Sequence, residues 1–247
     1  MNRHLTSLLV TAGLVAGSHG RALAQTQPQP PPPPAWESAA TLGFSLTKGN
    51  SDTLLLTGIV KTQKKGPQDE WAFGADGAYG ENNSVQNNDN VHGFGQYNRL
   101  FSERWFGYVR ADALYDGIAD VDYRVSLSPG IGYYIIKEKA TTLAAEVGPG
   151  VVFEKLGGEE DTYATLRLAE RFEHKFNDQA RLWQRAEYLP ELSDFGHYLF
   201  NFEVGVGASL TKKLELTVMF VDNYASQPAA GRKHNDMKLV SGITYKF

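Results

Sequence analysis

The chain has 247 residues, with 13 Phe, 12 Tyr, 4 Trp, 25 Gly and no Cys, and its 24 basic and 28 acidic side chains give a formal charge of −4. This acidic balance argues against a nucleic-acid partner, and the lack of cysteine excludes disulfides, thiolate nucleophiles and thiolate-bound zinc. No stretch approaches the roughly 18 apolar residues of a transmembrane helix. A membrane β-barrel, whose strands alternate apolar and polar residues, remains compatible with the composition.

The N-terminal residues 1–24 have the pattern of a secretory signal peptide. A basic start precedes an apolar stretch at Leu5–Val15, and Ala22–Ala24 forms an A-x-A cleavage site. We therefore predict a mature chain that begins at Gln25. Residues 25–38 follow and hold six of the eleven prolines, which predicts a polyproline-II-like periplasmic spacer.

From residue 39 to residue 247, apolar side chains recur with a period of two. In the last segment, for example, Leu239, Ile243, Tyr245 and Phe247 share one parity and the charged residues share the other. Turn signals divide this region into twelve predicted strands, at 41–48, 53–63, 70–80, 90–101, 104–115, 123–136, 140–154, 162–176, 179–189, 197–210, 213–225 and 235–247.

The placement of aromatic residues and turns distinguishes a membrane barrel from a soluble β-sandwich, which would alternate in the same way. Aromatic side chains collect at both ends of the predicted strands and form two girdles. The connections alternate between tight turns and longer loops, the longer ones being 81–89, 116–122, 155–161, 190–196 and 226–234. The sequence therefore predicts an all-β fold, a transmembrane antiparallel up-and-down β-barrel in the bacterial outer membrane.

Several motifs resemble those of a known family. They are Gly49–Asp52, Ser128–Tyr133, Gly148–Gly150, Tyr224 with Gln227–Pro228 and Asp236, and the closing Tyr245–Phe247. As a set they are similar to the salt-induced outer-membrane proteins, the YdiY-like family of unknown function, over about residues 39–247. The resemblance implies an exported outer-membrane barrel linked to salt stress, with no established ligand and no catalytic residues to carry over.

Pro129 and Pro149 need a structural explanation, because proline cannot donate a hydrogen bond to a sheet and a closed barrel has no edge. The turn near 137–139 places them almost opposite each other, so we predict a local β-bulge. Glycines flank both prolines on the inward parity. These glycines either open space in the lumen or relieve the curvature of the strands.

The inward parity carries most of the charge. The candidate lumen-lining residues are Arg110, Asp112, Arg124, Glu146, Arg167, Arg171, Glu173, Arg181, Arg185, Glu187 and Glu203. A three-residue loop at 177–179 would set Arg171 directly opposite Arg185, and carboxylates must then lie close to these two arginines. The sequence predicts Glu173 and Glu187 for that role because they lie on the same face two residues further along.

This charged interior has two interpretations. It is either a basic strip in a narrow, weakly anion-selective passive channel or a salt-bridge network that fills a non-conducting barrel. Twelve strands lie between eight-stranded barrels, which are filled by side chains, and 16-stranded porins, which are open. The strand number therefore leaves both interpretations standing.

An outer-membrane lipid hydrolase is an alternative from a different class of function. No G-x-S-x-G motif is present, and no histidine has a metal-ligand spacing. We therefore predict a protein that is not an enzyme and that has no metal and no cofactor. A serine within hydrogen-bonding reach of a histidine such as His174 would argue for the hydrolase.

The expected partners follow from the predicted location. They are outer-membrane lipid and lipopolysaccharide, whose phosphates divalent cations could bridge to the acidic loops, and small solutes if the lumen is open. The terminal aromatic pattern of Phe247, Tyr245 and Ile243 predicts recognition by the barrel-assembly machinery through strand addition.

Overall fold

The computed structural model describes residues 35–47 and 53–247. The signal-peptide prediction at 1–24 and residues 25–34 of the predicted spacer lie outside the described residues. Within these ranges, no helix is long and apolar enough to cross a bilayer.

Twelve antiparallel strands close into one barrel, in which each strand pairs with its neighbours in sequence and β12 pairs with β1. The strands are β1 (Glu37–Thr47), β2 (Thr53–Lys65), β3 (Asp69–Asn82), β4 (Val85–Leu100), β5 (Trp105–Asp116), β6 (Val121–Lys137), β7 (Thr141–Leu156), β8 (Glu159–Lys175), β9 (Ala180–Pro190), β10 (Tyr198–Ser209), β11 (Leu214–Ala225) and β12 (Asn235–Lys246). The predicted number and order of strands are confirmed. The predicted spacer extends too far, because Glu37 and Ser38 already pair with β2.

The barrel has its apolar residues outside and its polar residues inside. Leu42 is 75% exposed and Leu239 is 69% exposed on the outer surface, whereas inward-facing Glu146 and Arg167 are each 3% exposed. A broad apolar outer band is unfavourable in water, and it is the distribution that transmembrane barrels require. The alternation of the sequence thus places charge in the lumen.

Two connections are much shorter than the sequence suggests. The predicted loop 81–89 is a turn at Asn83 and Ser84, whose φ angles are 50° and 61°, and the predicted loop 155–161 is a turn at Gly157 and Gly158, with φ angles of 59° and 84°. Positive φ at both central residues matches the twist of paired strands and lets them pair up to the turn. Polar residues that resembled a loop are therefore the ends of β3, β4, β7 and β8.

The predicted bulge at the facing prolines is wrong. Leu127 pairs with Val151 and Ile131 pairs with Val147 in one continuous register, so the β6–β7 pairing lapses between them without a shift. Pro129 lies directly opposite Pro149, and neither residue has a backbone N–H to donate to the β6–β7 pairing. The pairing is therefore interrupted there, although neither strand contains an extra residue. The register shifts of this strand pair lie nearer its ends, between Val121 and Tyr123 and between Tyr134 and Ile136.

The glycines beside the prolines are covered by aromatic rings. A β-carbon on Gly132 would meet the ring of Phe106, and one on Gly130 would meet Tyr108. The ring of Phe106 is fully buried and Tyr108 is 3% exposed. These two glycines therefore do not open the lumen. They make room for two large side chains from β5.

Candidate functional site

One side of the lumen is packed solid near the end of the barrel at which β1 begins and β12 ends, here called the termini end. Phe106, Tyr108, Tyr134 and Ala144 form a buried cluster. The hydroxyl of Tyr134 donates a 2.6 Å hydrogen bond to buried Glu70. This side of the lumen is closed by side chains from β3, β5, β6 and β7.

Glu146 is the centre of the main charge network, and its side chain is fully buried. It accepts a 2.9 Å hydrogen bond from Gln96 Nε2 and a 2.8 Å hydrogen bond from Arg167 Nη1. Its Oε1, the oxygen that accepts from Gln96, also lies 2.7 Å from Arg171 Nη2. Arg167 continues the network through a 2.5 Å contact with Glu187. One carboxylate therefore serves two guanidinium groups.

The β8–β9 register places Arg171 directly opposite Arg185, as the three-residue loop predicts. The predicted carboxylate partners are wrong. Arg171 lies against Glu146 and Arg185 lies 3.8 Å from Glu203, whereas in the described part of the chain no ion pair joins either arginine to the predicted glutamates. The reason is geometric, because closer carboxylates come from the flanking strands β7 and β10.

Glu203 is shared by three groups, and two of them are absent from the predicted set. Lys61 Nζ lies 3.1 Å from Glu203 Oε1, and Trp183 Nε1 donates a 2.6 Å hydrogen bond to the same oxygen. Arg185 is the third group and is not hydrogen-bonded to this carboxylate. Lys61 has the same parity as inward-facing Ile59, which would predict that Lys61 also faces the lumen. Apolar and polar residues alternate only weakly in β2, so this signal is hard to recognise in the sequence.

Arg110 and Asp112 lie together, nearer the end of the barrel opposite the termini end. Arg110 Nη2 lies 2.5 Å from Asp112 Oδ1. The ring of His92 lies between two carboxylates, with Nδ1 3.0 Å from Asp76 and Nε2 3.3 Å from Asp112. A ring that donates from both nitrogens is positively charged. This region is therefore balanced in charge.

The remaining predicted residues are Arg124, Arg181 and Glu173, and the two arginines form separate ion pairs. Arg124 contacts Glu154 at 2.5 Å on the β6–β7 side. Arg181 contacts Glu215 at 2.7 Å near the termini end. The structure gives Glu173 no ion pair or hydrogen bond with the described residues. Of the predicted set, the residues brought together at mid-height are thus Glu146, Arg167, Arg171, Arg185, Glu187 and Glu203, and Arg110 joins them through a 3.6 Å ion pair with Glu187.

A cavity of about 200 Å³ lies beside this central network. On one side it is lined by arginines, which include Arg110, Arg167, Arg171 and Arg185. Apolar side chains come from β2, β10 and β11, namely Ile59, Leu199, Met219 and Val221, and the charged side chains of Lys61 and Glu203 lie among them. We call the four arginines the arginine wall and the four apolar side chains the apolar wall. In the described residues, no group of three or more His, Asp or Glu side chains is arranged to hold a metal ion.

The histidines outside the lumen do not contact a serine hydroxyl in the described residues. His174 Nδ1 lies 2.8 Å from the hydroxyl of Thr141. His197 Nδ1 lies 2.7 Å from Glu191, which also accepts a hydrogen bond from Ser193. These two hydrogen bonds lower the pKa of Glu191 below its usual range. Ser193 and His197 are therefore both hydrogen-bonded to the Glu191 carboxylate and not to each other.

The predicted assembly signal lies at the closing seam. Phe247, Tyr245 and Ile243 are 63%, 43% and 44% exposed on the outer surface. The Phe247 N–H donates a 2.9 Å hydrogen bond to the Ser38 carbonyl. The seam has five register pairs, from Ala39 with Lys246 to Gly43 with Gly242, whereas β11 and β12 share eleven. The seam is thus a short strand pairing.

Comparison with known proteins places these features in a family and a fold. The model of a family described as "Protein of unknown function, DUF481" matches residues 40–247. Among solved structures, the COG4313 outer membrane channel from Pseudomonas putida F1 superposes with a TM-score of 0.50 at 10% identity, covering 87% of this chain and 96% of that chain.

Two porins are also similar to this chain. The NanC porin has a TM-score of 0.49 at 9% identity, covering 85% of this chain and 96% of that chain. The KdgM porin has a TM-score of 0.47 at 10% identity, covering 86% of this chain and 99% of that chain. No curated protein sequence matches the chain. At these identities the likeness to the Pseudomonas channel concerns the barrel fold alone.

Proposed function

Because the chain belongs to the DUF481 family, whose function is unknown, its role has to be argued from its own side chains, and we propose an outer-membrane barrel that passes small anions. The outer-membrane location, the sign of the permeant ion and the link to salt rest on separate observations.

The apolar outer band supports the outer-membrane location, because lipid is the solvent that such a surface requires. The signal-peptide pattern ending at Ala24 supports export. The test is fractionation of cells followed by N-terminal sequencing. We expect a heat-modifiable protein in the outer-membrane fraction that begins at Gln25. A soluble periplasmic product, or a mature protein that begins at Met1, would contradict the proposed location.

The observation that carries the anion proposal is the pair formed by Arg171 and Arg185. Their side chains are 31% and 44% exposed toward the lumen. Glu146 and Glu203, the carboxylates nearest to them, are already engaged by Arg167 and Lys61. Positive charge is therefore in excess at mid-height, where a low-dielectric wall strengthens its effect on an ion.

Planar-bilayer recording of the purified barrel tests this proposal. We expect wild-type protein to conduct and to show a reversal potential of anion-selective sign in a salt gradient. Replacing both Arg171 and Arg185 by Gln should move that potential toward cations. An unchanged potential in a folded double variant would refute the role of the arginine pair.

A non-conducting structural barrel is the second candidate, and the packed cluster around Phe106 favours it. That ring is fully buried, and the charge network beside it crosses the lumen from β4 to β9. This candidate predicts no conductance for the wild type. It also predicts that replacing Arg171 and Arg185 unfolds the barrel as readily as removing the buried carboxylate Glu146.

The link to salt is supported by the resemblance to salt-induced outer-membrane proteins. On that ground we propose that the amount of protein in the outer membrane rises in high-salt medium. Quantitative immunoblotting of outer membranes at low and high NaCl tests this, with equiosmolar sucrose as the control for osmotic pressure. Equal amounts in all three media would contradict the link.

A further inference from the structure

The cavity beside the arginine wall has a second property that a simple anion channel does not need. Apolar side chains also line it: Ile59 and Met219 pack together in a buried cluster that also contains Val240, and Val221 packs against that cluster. Chloride and other small hydrated anions gain nothing from such a surface, because they are more stable with their water. The cavity therefore combines two kinds of binding surface.

Unpaired hydrogen-bond donors are present on the arginine wall. The Nε atom of Arg171 is buried without a hydrogen-bond partner among the described residues, and Nη2, also buried, has only its 2.7 Å ion-pair contact with Glu146. Among the residues that the structure describes, Arg185 has only its 3.8 Å ion pair with Glu203. Buried donors without acceptors are costly. A guanidinium fork is suited to the two oxygens of a carboxylate.

We propose that this cavity binds a small amphiphilic carboxylate, which places its carboxylate between Arg171 and Arg185 and its apolar body against Met219, Val221 and Ile59. The cavity of about 200 Å³ is somewhat larger than an engineered protein cavity of about 150 Å³ that binds benzene. This volume suits an acid with one carboxylate and a body about the size of a benzene ring. The inference deepens the proposed function by naming a substrate class for the same lumen.

Isothermal titration of the folded, detergent-solubilised barrel with benzoate tests the inference. Benzyl alcohol keeps the ring without the charge, and chloride keeps the charge without the ring. We expect benzoate to bind clearly more tightly than either. Equal binding of benzyl alcohol would mean that only the apolar wall acts, and equal competition by chloride would mean that only charge acts. Either result would overturn the proposal, as would the absence of benzoate binding.

Variants on the two walls separate their contributions. Arg185→Gln should weaken benzoate binding by about tenfold, because a charge-assisted hydrogen bond is lost. Val221→Thr is nearly isosteric and should weaken it by about fivefold, because a hydroxyl is placed against the apolar ring. Arg232→Gln, in the exposed loop 226–234, removes the same charge outside the lumen and should leave binding unchanged. If both lumen variants bind benzoate like the wild type, the site is wrong.

Bilayer recording and benzoate titration together distinguish the loss of the carboxylate site from the loss of the channel. A barrel that is anion-selective in bilayers but does not bind benzoate keeps the channel and loses the carboxylate site. A barrel that binds benzoate through Arg185 but does not conduct keeps the site and loses the channel. Retained heat-modifiable mobility of each variant shows that its barrel is folded.

Discussion

Replacing Glu146 by Gln should destabilise the barrel far more than replacing Glu173 by Gln. Both are inward-facing glutamates close to Arg171 in sequence or space. Glu146 is fully buried and contacts Arg167 and Arg171 at 2.8 and 2.7 Å. Glu173 forms no ion pair with the residues that the structure describes. The amide has nearly the same size as the carboxylate, so the comparison removes charge without leaving a cavity.

The structure indicates the magnitude. Breaking a buried ion pair by neutralising one partner costs about 3 to 5 kcal/mol, because the other charge is left uncompensated. After Glu146→Gln, Arg167 keeps its 2.5 Å contact with Glu187, whereas Arg171 loses its carboxylate. We therefore expect a cost near the lower limit, about 3 kcal/mol. The cost of Glu173→Gln should stay within about 0.5 kcal/mol.

Urea unfolding of the barrel in detergent or lipid vesicles, followed by loss of the heat-modifiable form, measures the difference. At a denaturant slope of about 2 kcal/mol per molar, Glu146→Gln should lower the midpoint by about 1.5 M. Equal midpoints for the two variants, or a larger loss for Glu173→Gln, would refute the assignment of Glu146 as the network centre.

Three further predictions concern the seam, the proline region and an exposed loop. Deleting Phe247 should lower the amount of folded barrel in the outer membrane without changing export, because the assembly machinery reads a terminal aromatic strand; heat-modifiability assays of membrane fractions measure this. Gly148→Ala should destabilise the barrel by about 1 to 3 kcal/mol, because the new methyl group meets the backbone of the adjacent strand; urea titration measures it. The carboxylate of Glu191 has a lowered pKa, so its stabilisation of loop 191–197 is present above the ordinary carboxyl pKa and is lost as the pH falls through the lowered value; the protection factors for amide hydrogen exchange in the loop, which correct for the pH dependence of the intrinsic rate, should then fall.

Each of these predictions has a matched control. Phe247→Tyr keeps a terminal aromatic residue and should assemble normally, and an unchanged yield after the deletion would contradict the role of Phe247. Gly58→Ala adds a methyl group where no atom lies within 4 Å, and a loss of stability equal to that of Gly148→Ala would contradict the steric argument. Glu191→Gln should abolish the pH step, and a step that persists would assign it to another group.

The strand pattern could be predicted because a barrel in lipid must alternate, and the period of two is visible in almost every strand. The pairing of Arg171 with Arg185 could be predicted because a three-residue loop fixes the register of β8 and β9. Glu203 lies directly opposite Arg185 on β10, yet this could not be predicted, because the longer 191–197 connection leaves the register of β9 and β10 open.

Contacts across the lumen are not determined by sequence spacing at all. Lys61 on β2 meets Glu203 on β10 only because the barrel closes. The turns at Asn83 and at Gly157 were hidden for another reason. Strands that extend past the apolar band have polar residues on both faces, so their sequence resembles a loop. The sequence therefore predicts the wall of the barrel well and the pairing inside it poorly.

The most direct test of the proposed function is a charge reversal in the lumen, with the same reversal outside as the control. Arg185→Glu would place a carboxylate opposite Arg171 on β8 and opposite Glu203 on β10. Arg171 and Lys61 supply the opposite charges, and retained heat-modifiable mobility shows that the variant is folded. Arg232→Glu makes the same change in net charge in an exposed loop. We expect a cation-selective reversal potential for Arg185→Glu and an anion-selective one for Arg232→Glu. Equal potentials in the two folded variants would contradict this expectation.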